Sequence, residues 1–527
     1  MTPKIWIDVE DLFEYARGNP RPSGIQRLAF EIYRALQARP DSAEIIRFVR
    51  HQHARNSFRV VQWNQIEALF VNMTATPQAP SNALSQAQSG RPFDEPRDSG
   101  PILPHPRGRQ FARKLVHRLP PSLRVYVIDV LLTQSAALRA WRRLIEALAR
   151  GTIAGLGGLL RLKRRPQSLK SRASDRTMAA ELADSQVSSF LAPEEADEAF
   201  SSISAPGDIL LVLGSPWSHP DYASLVAPQR KRGLKFGLLV YDLIPLRRPE
   251  WCDRNLVRLF RAWFDSVFPL CDQVFAISQA TARDVEAYTR ERGITLRGPV
   301  CPIPIGTEFG HPEFQQIAPQ SCRALPEAGS YALIVSTIEA RKNHMLLFRV
   351  WRRLLEELPR DQIPTLAFAG RVGWLVDDLM RQIANTDCLD GKLVLIENPT
   401  DAELVRLYEG CLFTLFPSFF EGWGLPVTES LSFGKPCLTS NSTSLPEAGG
   451  KLTRRFDPDN LGEAYSAILE VIQDRAGLAR WEAQVKREFK PVSWSATAEE
   501  ILAGLGHPHA TLDVDAAPAT RVASIAR

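Results

Sequence analysis

Apolar residues in the second half of this chain fall into short runs that alternate with helix-spaced apolar positions. A short apolar run between turn residues is typical of a buried strand, and apolar positions three or four apart are typical of an amphipathic helix. The pattern predicts strands at 331–335, 365–369, 392–396, 411–416 and 436–440. It predicts helices at 343–358, 374–385 and 401–409, and a fourth that contains Glu429. Strands alternating with helices predict a doubly wound parallel sheet.

The first half shows a second pattern of this kind, interrupted in its middle. Strands are predicted at 4–8, 45–49, 209–213, 235–241, 273–277 and 299–304, and helices at 25–38, at 254–270 and from Gln279 onward. The predicted fold class is therefore α/β, with two Rossmann-like doubly wound domains. Their predicted bounds are 1–310 and 325–490, and the Ala- and Thr-rich residues 508–527 are predicted to be a disordered tail.

The interruption, about residues 72–205, is predicted to be a partly disordered insertion in the first domain. Between Arg107 and Arg176 it holds 17 Lys or Arg against three acids, a local charge of +14. Because the whole chain carries only +5, the remainder carries −9. Residues 138–163 mix Leu, Ile and Trp with arginines, which fits a helix pair on a membrane surface or Arg-rich helices packed on the parent domain.

Composition places the rest of the chain among globular proteins, with 44% hydrophobic and 23% charged residues. The sequence has no run of eighteen apolar residues, and its first eight residues resemble a strand rather than a signal peptide. We therefore expect a cytoplasmic protein. The basic segment has few interleaved aromatics, so we expect no nucleic-acid partner.

A glycine loop between a predicted strand and a predicted helix carries two glutamates eight residues apart. Gly422 and Gly424 free the backbone of the loop, and Pro426 suits the first turn of the helix. Glu421 is then on the loop and Glu429 on the helix. N–H groups at a helix start attract a diphosphate, and a carboxylate one turn in can accept both hydroxyls of a ribose. Most such glutamate pairs are solvated, but the strand, glycines and proline in register favour a nucleotide-sugar site.

A basic pair, Arg341 and Lys342, follows the first strand of the second domain. Doubly wound sheets bind ligands at the carboxyl ends of their strands, and two cations there can neutralise a pyrophosphate leaving group. Alone, the pair is equally well explained as solvated residues at a helix start. Beside the glutamate loop, the phosphate interpretation is favoured.

Two weaker signals come from the first domain. Gly24 lies at a turn between a strand and a helix, where a lone glycine is usually only a turn residue. Asp242 follows the strand at 235–241 and can orient substrate hydroxyls, although capping a turn is the commoner role of such an aspartate. Both interpretations remain open for each residue.

No metal or cofactor is predicted. An Asp-x-Asp pair can hold a divalent ion on a diphosphate, and the chain has two, Asp457-Pro458-Asp459 and Asp513-Val514-Asp515. The first is predicted to be a turn and the second lies in the predicted tail. None of the nine histidines falls in a ligand pattern.

Taken together, these segments resemble the retaining GT-B glycosyltransferases of family four, also called glycosyl transferases group 1. The resemblance covers most of the chain outside the insertion and tail, and only the set of motifs is specific. The motifs are Ser23-Gly24-Ile25-Gln26-Arg27, Tyr241-Asp242-Leu243-Ile244-Pro245, Glu339-Ala340-Arg341-Lys342-Asn343, Gly370-Arg371-Val372-Gly373-Trp374, Glu421-Gly422-Trp423-Gly424-Leu425-Pro426 with Glu429, and Ser444-Leu445-Pro446-Glu447-Ala448-Gly449-Gly450.

The resemblance implies a role for each matching residue. Glu421 would contact the donor sugar, Glu429 would hold the ribose, and Lys342 would bind phosphate. Gly24 would lie near the donor phosphates. The sugar and diphosphate would also meet the backbone amides of Gly422, Trp423, Gly424 and Leu425.

Two positions depart from the family pattern. Thr337 stands where many members have an arginine, so either Arg341 supplies that charge or Lys342 holds the diphosphate with fewer partners. Tyr241 stands where many members have a histidine at the donor sugar. That change leaves open which side chain contacts the reacting sugar, with Asp242 as the neighbouring candidate.

The implied fold is GT-B, with two Rossmann-like domains facing a cleft and a helix at 491–506 crossing back to the first domain. The implied reaction is retaining, metal-independent hexosyl transfer, in which the donor phosphate takes the acceptor's proton and no side-chain base is needed. The expected partners are a nucleotide sugar, with GDP-mannose as first candidate, and a bacterial surface glycan or its lipid-linked precursor. A peripheral position on the inner face of the cytoplasmic membrane would follow if the insertion binds lipid. The rival interpretations are a GT-B epimerase and a non-catalytic scaffold of a glycan assembly complex.

Overall fold

Two sheets with helices on their faces make up the described part of the chain in the computed structural model. The structure describes residues 2–19, 21–52, 57–74, 200–219, 221–307 and 324–507. All of them fall within one structural unit, which excludes residues 78–185.

The first sheet has seven strands. They are β1 (Ile5–Asp8), β2 (Ile46–Gln52), β3 (Ser57–Val61), β4 (Ile209–Val212), β5 (Lys235–Val240), β6 (Gln273–Ala276) and β7 (Val300–Pro302). Their order across the sheet is β3-β2-β1-β4-β5-β6-β7. Only β3, an edge strand that the sequence pattern did not predict, runs antiparallel to its neighbour.

The helices that pack on this sheet include the two that the pattern predicted within 25–38 and 254–270. They are α1 (Glu10–Gly18), α2 (Gly24–Gln37), α3 (Ser42–Ile45), α4 (Trp63–Thr74), α5 (Phe200–Ile203), α6 (Tyr222–Lys231), α7 (Ile244–Arg247), α8 (Arg254–Val267) and α9 (Gln279–Arg292). After α8 the chain tightens into a 3-10 turn at Phe268–Leu270. Asp253 caps α8 by accepting the N–H groups of Asn255 and Leu256.

The second sheet has six strands, all parallel. They are β8 (Tyr331–Val335), β9 (Thr365–Ala369), β10 (Leu393–Ile396), β11 (Phe413–Phe416), β12 (Cys437–Ser440) and β13 (Arg454–Phe456). The order β10-β9-β8-β11-β12-β13 is that of a dinucleotide-binding sheet. The two predicted doubly wound α/β domains are thereby confirmed.

The helices of the second sheet follow the predicted alternation, with one correction. They are α10 (His344–Glu357), α11 (Asp377–Asn385), α12 (Asp401–Gly410), α13 (Leu425–Ser432), α14 (Leu445–Gly449), α15 (Leu461–Gln473) and α16 (Arg475–Glu488). The prediction that a helix begins at Trp374 is wrong, because α11 begins at Asp377. Leu375 has a φ of 59°, a left-handed conformation that an α-helix cannot contain.

After α16 the chain returns to the first domain as helix α17 (Trp494–Gly504). Trp494, Ile501 and Leu502 are buried in the apolar core beneath the first sheet. Gly306 allows this contact, since a Cβ atom there would lie 2.2 Å from the Trp494 ring. The core of the first domain is thus completed by the last described helix.

The predicted insertion and tail lie mostly outside the described residues. The bounds of about 72–205 nevertheless overlap ordered elements at both ends, since α4 continues to Thr74 and α5 begins at Phe200. Phe200 is buried and packs edge-on against Trp6, with ring centroids 5.1 Å apart. Residues 508–527 and the pair at Asp513 and Asp515 also lie outside the described range.

Candidate functional site

The second sheet changes direction between β8 and β11. These strands are neighbours, but the chain leaves β8 toward β9 on one side and reaches β11 on the other. Such a reversal opens a crevice at the carboxyl ends of the two strands, where doubly wound sheets bind ligands. The loop that holds Arg341 and Lys342 follows β8, and the glycine loop that holds Glu421 follows β11.

Backbone contacts between the two loops hold them together. The Phe419 N–H donates to the Arg341 carbonyl at 3.0 Å. Asn343, with a φ of 58°, ends the basic loop, and its amide donates to the carbonyls of Pro417 at 3.3 Å and Pro458 at 2.9 Å. An asparagine tolerates this left-handed backbone better than most residues do. The basic side chains are thereby aimed at the glycine loop.

Four charged side chains form a buried ion cluster in this crevice. Lys342 Nζ lies 2.6 Å from Glu421 Oε1, and Arg341 Nη1 lies 2.8 Å from Glu421 Oε2. The other arm of Arg341, Nη2, donates to Glu339 Oε1 at 2.6 Å. The four side chains are between 2% and 14% exposed, so each charge depends on its partners rather than on water.

The cluster sets the protonation of its members. Burial alone would raise the pKa of Glu421, but Arg341 and Lys342 outweigh burial and lower that pKa to about 2. Burial, then the repulsion from Arg341, lowers the pKa of Lys342 against the pull of Glu421. The pKa of Arg341 is raised, because its two carboxylate partners outweigh its burial. Glu421 is therefore a carboxylate at any physiological pH and has no proton to give.

The second glutamate of the motif, Glu429, lies in α13. Its Oε2 accepts the hydroxyl of Tyr408 at 2.7 Å, and the Tyr408 ring is stacked on Phe433 with centroids 5.1 Å apart. Burial raises the pKa of Glu429, and the Tyr408 hydrogen bond and Arg27 oppose this increase. A carboxylate oriented by a tyrosine hydroxyl suits the predicted task of accepting sugar hydroxyls.

The glycine loop is packed too closely for larger residues. A Cβ atom on Gly422 would lie 2.1 Å from the Tyr241 carbonyl oxygen of the first domain. Gly424 has a φ of 119°, and the helix α13 begins at the next residue with Pro426 in its first turn. The Ser444 hydroxyl is within hydrogen-bonding distance of two loop carbonyls, 3.0 Å from that of Glu421 and 2.7 Å from that of Trp423.

Residues predicted in the first domain lie beside this loop. Asp242 Oδ1 accepts the Ile244 N–H at 3.0 Å, which is the capping role that the sequence left open. Burial raises the pKa of Asp242. The Tyr241 hydroxyl donates to the Leu213 carbonyl at 2.6 Å, so its polar atom is engaged inside the first domain. A Cβ atom on Gly24 would lie 3.8 Å from Leu425 Cδ1, which brings the turn of Gly24 to the glycine loop.

Polar contacts also join the two domains around the crevice. Glu447 accepts the N–H groups of Gln279 at 2.7 Å and Ala280 at 2.8 Å, and so occupies the amino terminus of α9. The Thr281 hydroxyl lies 3.2 Å from the Gly422 carbonyl oxygen. Sequence reasoning included Glu447 in a motif but gave it no role, because its partners are backbone groups more than 160 residues away.

The reversal point of the first sheet, between β1 and β4, holds buried acids that sequence reasoning missed. Asp8 Oδ2 lies 2.7 Å from His51 Nε2 and accepts the Tyr222 hydroxyl at 2.7 Å. Asp11 Oδ2 accepts the N–H of Ser215 at 2.8 Å. Burial raises the pKa of Asp11 to about 6, and repulsion from Asp8 adds to the increase. The strand pattern gave no sign of this cluster, because Asp8 only ends an apolar run.

The described residues contain no group of three or more His, Cys, Asp and Glu able to hold a metal ion. Asp457 Oδ1 accepts the Asp459 N–H at 2.9 Å, so this Asp-x-Asp pair forms the predicted turn. Within the same described ranges, no helix has the length and apolar character needed to cross a membrane.

Two Rossmann-like domains that meet at their strand ends, around paired acidic and basic side chains, define the GT-B class of architecture. Residues 322–487 match the family described as glycosyl transferases group 1, and this part of the chain belongs to that family.

Curated relatives come from bacteria. The serotype-specific mannosyltransferase WbdA of Escherichia coli is 27% identical over 294 residues, which are 54% of this chain and 35% of that protein. The O-antigen chain mannosyltransferase B of Escherichia coli is 34% identical over 164 residues, 31% of this chain and 42% of that protein. The chain thus spans less than half the length of either relative. Among solved structures, Anabaena HepE in complex with UDP is 16% identical, with 57% of this chain and 78% of that one covered and a TM-score of 0.41.

Gly422→Ala tests the close approach of the glycine loop to the first domain. Because the new methyl would meet the Tyr241 carbonyl, the loop has to move, and we expect about 2 kcal/mol or more of lost unfolding free energy. Gly18→Ala is the matched control, since a Cβ atom there has nothing within 4 Å. Thermal and urea unfolding of both variants measure the difference. Equal stability of the two variants would show that the loop and the first domain are not in contact in solution.

Asp11→Asn tests the buried acid of the first sheet. The pKa of Asp11 is raised from 3.8 to about 6 in the fold, so the folded state holds its proton more tightly than the unfolded state does. As pH rises from about 4 to about 7, wild type should therefore lose up to about 3 kcal/mol relative to Asp11→Asn. Urea unfolding at a series of pH values measures this difference. A pH-independent difference between the two proteins would contradict the shift.

Proposed function

We propose that this chain is a metal-independent retaining glycosyltransferase that moves a hexose from a nucleotide sugar to a bacterial glycan acceptor. The observation that carries the proposal is the buried ion cluster of Arg341, Lys342 and Glu421 at the reversal point of a sheet that belongs to the glycosyl transferases group 1 family. Paired cations at that point suit a diphosphate, and a carboxylate beside them suits a sugar.

In the proposed complex the donor lies along the crevice in three parts. Its diphosphate meets Lys342, Arg341 and the N–H groups that begin α13, in the loop of Gly422, Trp423, Gly424 and Leu425. The ribose hydroxyls are accepted by Glu429, which Tyr408 already orients. The transferred sugar faces Glu421, and Asp242 orients one of its hydroxyls. Gly24 approaches the phosphates from the first domain.

Donor binding exchanges one set of ionic partners for another. In the ligand-free cluster, both oxygens of Glu421 are held by the cations that we assign to the diphosphate. An arriving diphosphate brings more negative charge than one carboxylate, so it can take over both cations and release Glu421 toward the sugar. Glu339 keeps its own bond to Arg341 and holds that side chain in place during the exchange.

The proposed transfer retains the configuration at the anomeric carbon. The bond from that carbon to the diphosphate breaks and the bond to the acceptor oxygen forms on the same face, while the acceptor proton passes to the departing phosphate. Glu421 cannot supply a proton, because its pKa is about 2. Its carboxylate instead stabilises the positive charge that develops on the sugar ring, and Arg341 and Lys342 stabilise the leaving diphosphate.

We propose mannose as the hexose and GDP-mannose as the donor. Support comes from two relatives whose names describe them as mannosyltransferases, one of them of the O-antigen chain. The proposed acceptor is a surface glycan or its lipid-linked precursor, bound on the first-domain side of the crevice. Such an acceptor would be met in the cytoplasm at the inner face of the membrane.

A donor panel tests the proposal. Purified protein is incubated with GDP-mannose, GDP-fucose, UDP-glucose, UDP-galactose and UDP-N-acetylglucosamine, each with a mannose trisaccharide or a lipid-linked glycan as acceptor. We expect transfer from GDP-mannose, with the product linkage shown by NMR to have the donor's anomeric configuration. EDTA should not lower the rate, because the cations of the cluster supply the positive charge. Absence of transfer and binding across the whole panel would sink the proposal.

Variants of the ion cluster should separate binding from turnover. Lys342→Ala removes a phosphate partner, so we expect nucleoside diphosphate binding to weaken and turnover to fall by about 100-fold or more. Glu421→Gln frees both cations, so nucleoside diphosphate should bind about tenfold more tightly while transfer falls strongly. Calorimetry measures binding and a product assay measures turnover. Lys451→Ala, an exposed lysine of the same domain, is the matched control.

The contrary outcome is equally sharp. If Glu421→Gln binds nucleoside diphosphate no more tightly than wild type does, the carboxylate does not compete with the diphosphate. Circular dichroism spectra of all three variants establish that the fold survives.

A further inference from the structure

Exposed apolar side chains are concentrated on one loop beside the ion cluster. Six large hydrophobic residues are at least 36% exposed in the described ranges, and three of them are Val372 at 38%, Trp374 at 47% and Leu375 at 60%. Trp374 is the one aromatic residue among the six. Exposed apolar residues scattered singly need no explanation, but a cluster of this kind marks an interaction site.

The ring of Trp374 is exposed although its position is firmly held. Its Nε1–H donates to the Trp251 carbonyl of the first domain at 2.8 Å. Its loop is anchored by the Gly373 N–H, which donates to the Ile338 carbonyl at 2.8 Å. Since the only polar atom of the indole is already engaged, the remaining surface that Trp374 offers to a ligand is an apolar ring.

The exposed ring adjoins the candidate site on two sides. The Trp374 carbonyl accepts the N–H of Ala340, which directly precedes Arg341 and Lys342, at 3.4 Å. Trp251, which holds the indole, is itself stacked on Phe419 with ring centroids 5.5 Å apart. Phe419 lies two residues before Glu421. We call the surface of Trp251, Trp374, Leu375 and Phe419 the aromatic shelf.

The charge around the aromatic shelf argues against an anionic membrane as its partner. Segments 248–252 and 370–378 together carry two basic and three acidic residues. A surface that binds anionic lipid needs an excess of basic residues. The Arg248 guanidinium lies 4.5 Å from the Trp251 ring centroid and pairs with Glu250 at 2.8 Å, so its charge is already balanced. The shelf therefore suits a neutral ligand with an apolar face.

A pyranose ring has that chemistry. One face of a hexose presents C–H groups that pack on an aromatic ring, while its hydroxyls point outward to polar neighbours such as Arg248 and Glu250. We propose that the aromatic shelf is a binding site for a sugar ring of the acceptor glycan, with Trp374 as its stacking platform. The assignment of this sugar to an acceptor rests on the proposed glycosyltransferase function.

Variants of Trp374 test the shelf directly. Calorimetry measures binding of a neutral mannose trisaccharide and of GDP to the full chain and to Trp374→Ala, Trp374→Phe and Val71→Ala. Trp374→Ala should weaken trisaccharide binding at least tenfold, whereas Trp374→Phe keeps an aromatic ring and should stay within about threefold of wild type. Val71→Ala removes an equally exposed apolar side chain from α4 and should change nothing. GDP binding should be the same in all four proteins.

The Phe variant distinguishes stacking from a structural role. Both Trp374 variants lose the hydrogen bond to Trp251, so equal weakening in the two would assign the effect to that bond and overturn the proposal. Failure of wild type to bind the trisaccharide would overturn it as well, and so would unchanged binding in Trp374→Ala. Vesicles of phosphatidylglycerol and phosphatidylethanolamine provide the competing ligand. Loss of vesicle binding in Trp374→Ala with intact trisaccharide binding would assign the shelf to a lipid surface.

The donor panel keeps this proposal separate from the proposed function. Trisaccharide binding that depends on the Trp374 ring, with no transfer from any donor, would leave a glycan-binding protein without the proposed reaction. Transfer from a nucleotide sugar with an acceptor KM unchanged in Trp374→Ala would leave the enzyme without the proposed shelf. In the expected case, Trp374→Ala raises the acceptor KM and leaves the KM for the donor unchanged.

Discussion

The pairing of Glu421 with Arg341 and Lys342 is the interaction on which the rest of this site depends. Buried charges are costly unless each has a partner of opposite sign, and these three side chains lie at a crevice that the fold leaves open to a ligand. The carboxylate keeps both cations charged and in place without a ligand. Whatever anion enters must then offer more charge than one carboxylate does, which is a requirement that a diphosphate meets.

Much of the local structure follows from holding this cluster in place. The left-handed Asn343 ends the basic loop and bonds to the segments after β11 and after β13. Ser444 lies within hydrogen-bonding distance of the carbonyls of the glycine loop, so the backbone groups that a loop of this kind leaves unpaired are satisfied. Gly422 lets the carbonyl of Tyr241 approach to a distance that no side chain would permit. The two domains therefore meet through backbone atoms at the cluster itself.

Polar contacts between the domains surround this meeting point. Glu447 places a carboxylate at the amino terminus of α9, and Trp374 reaches the Trp251 carbonyl on the flank of the basic loop. Both contacts engage backbone groups, which remain available whatever side chains stand on the partner element. The aromatic shelf is built on the second of these contacts, so the surface proposed for the acceptor and the cluster proposed for the donor share one loop.

The sequence by itself determined the two α/β domains, because apolar runs and helix-spaced positions are local patterns that report burial on two faces of a sheet. It also placed Arg341, Lys342, Glu421 and Glu429 at strand ends, since glycine and proline punctuate the chain there. It missed the edge strand β3, which lies outside the parallel core, and it started a helix at Trp374, where a left-handed Leu375 prevents one. Only the tertiary structure decided that Glu421 binds both cations, that Asp242 caps a turn, and that Asp11 is buried beside Asp8. Those outcomes depend on which distant segments meet and on how much water they exclude, and neither is recorded in the local spacing of residues.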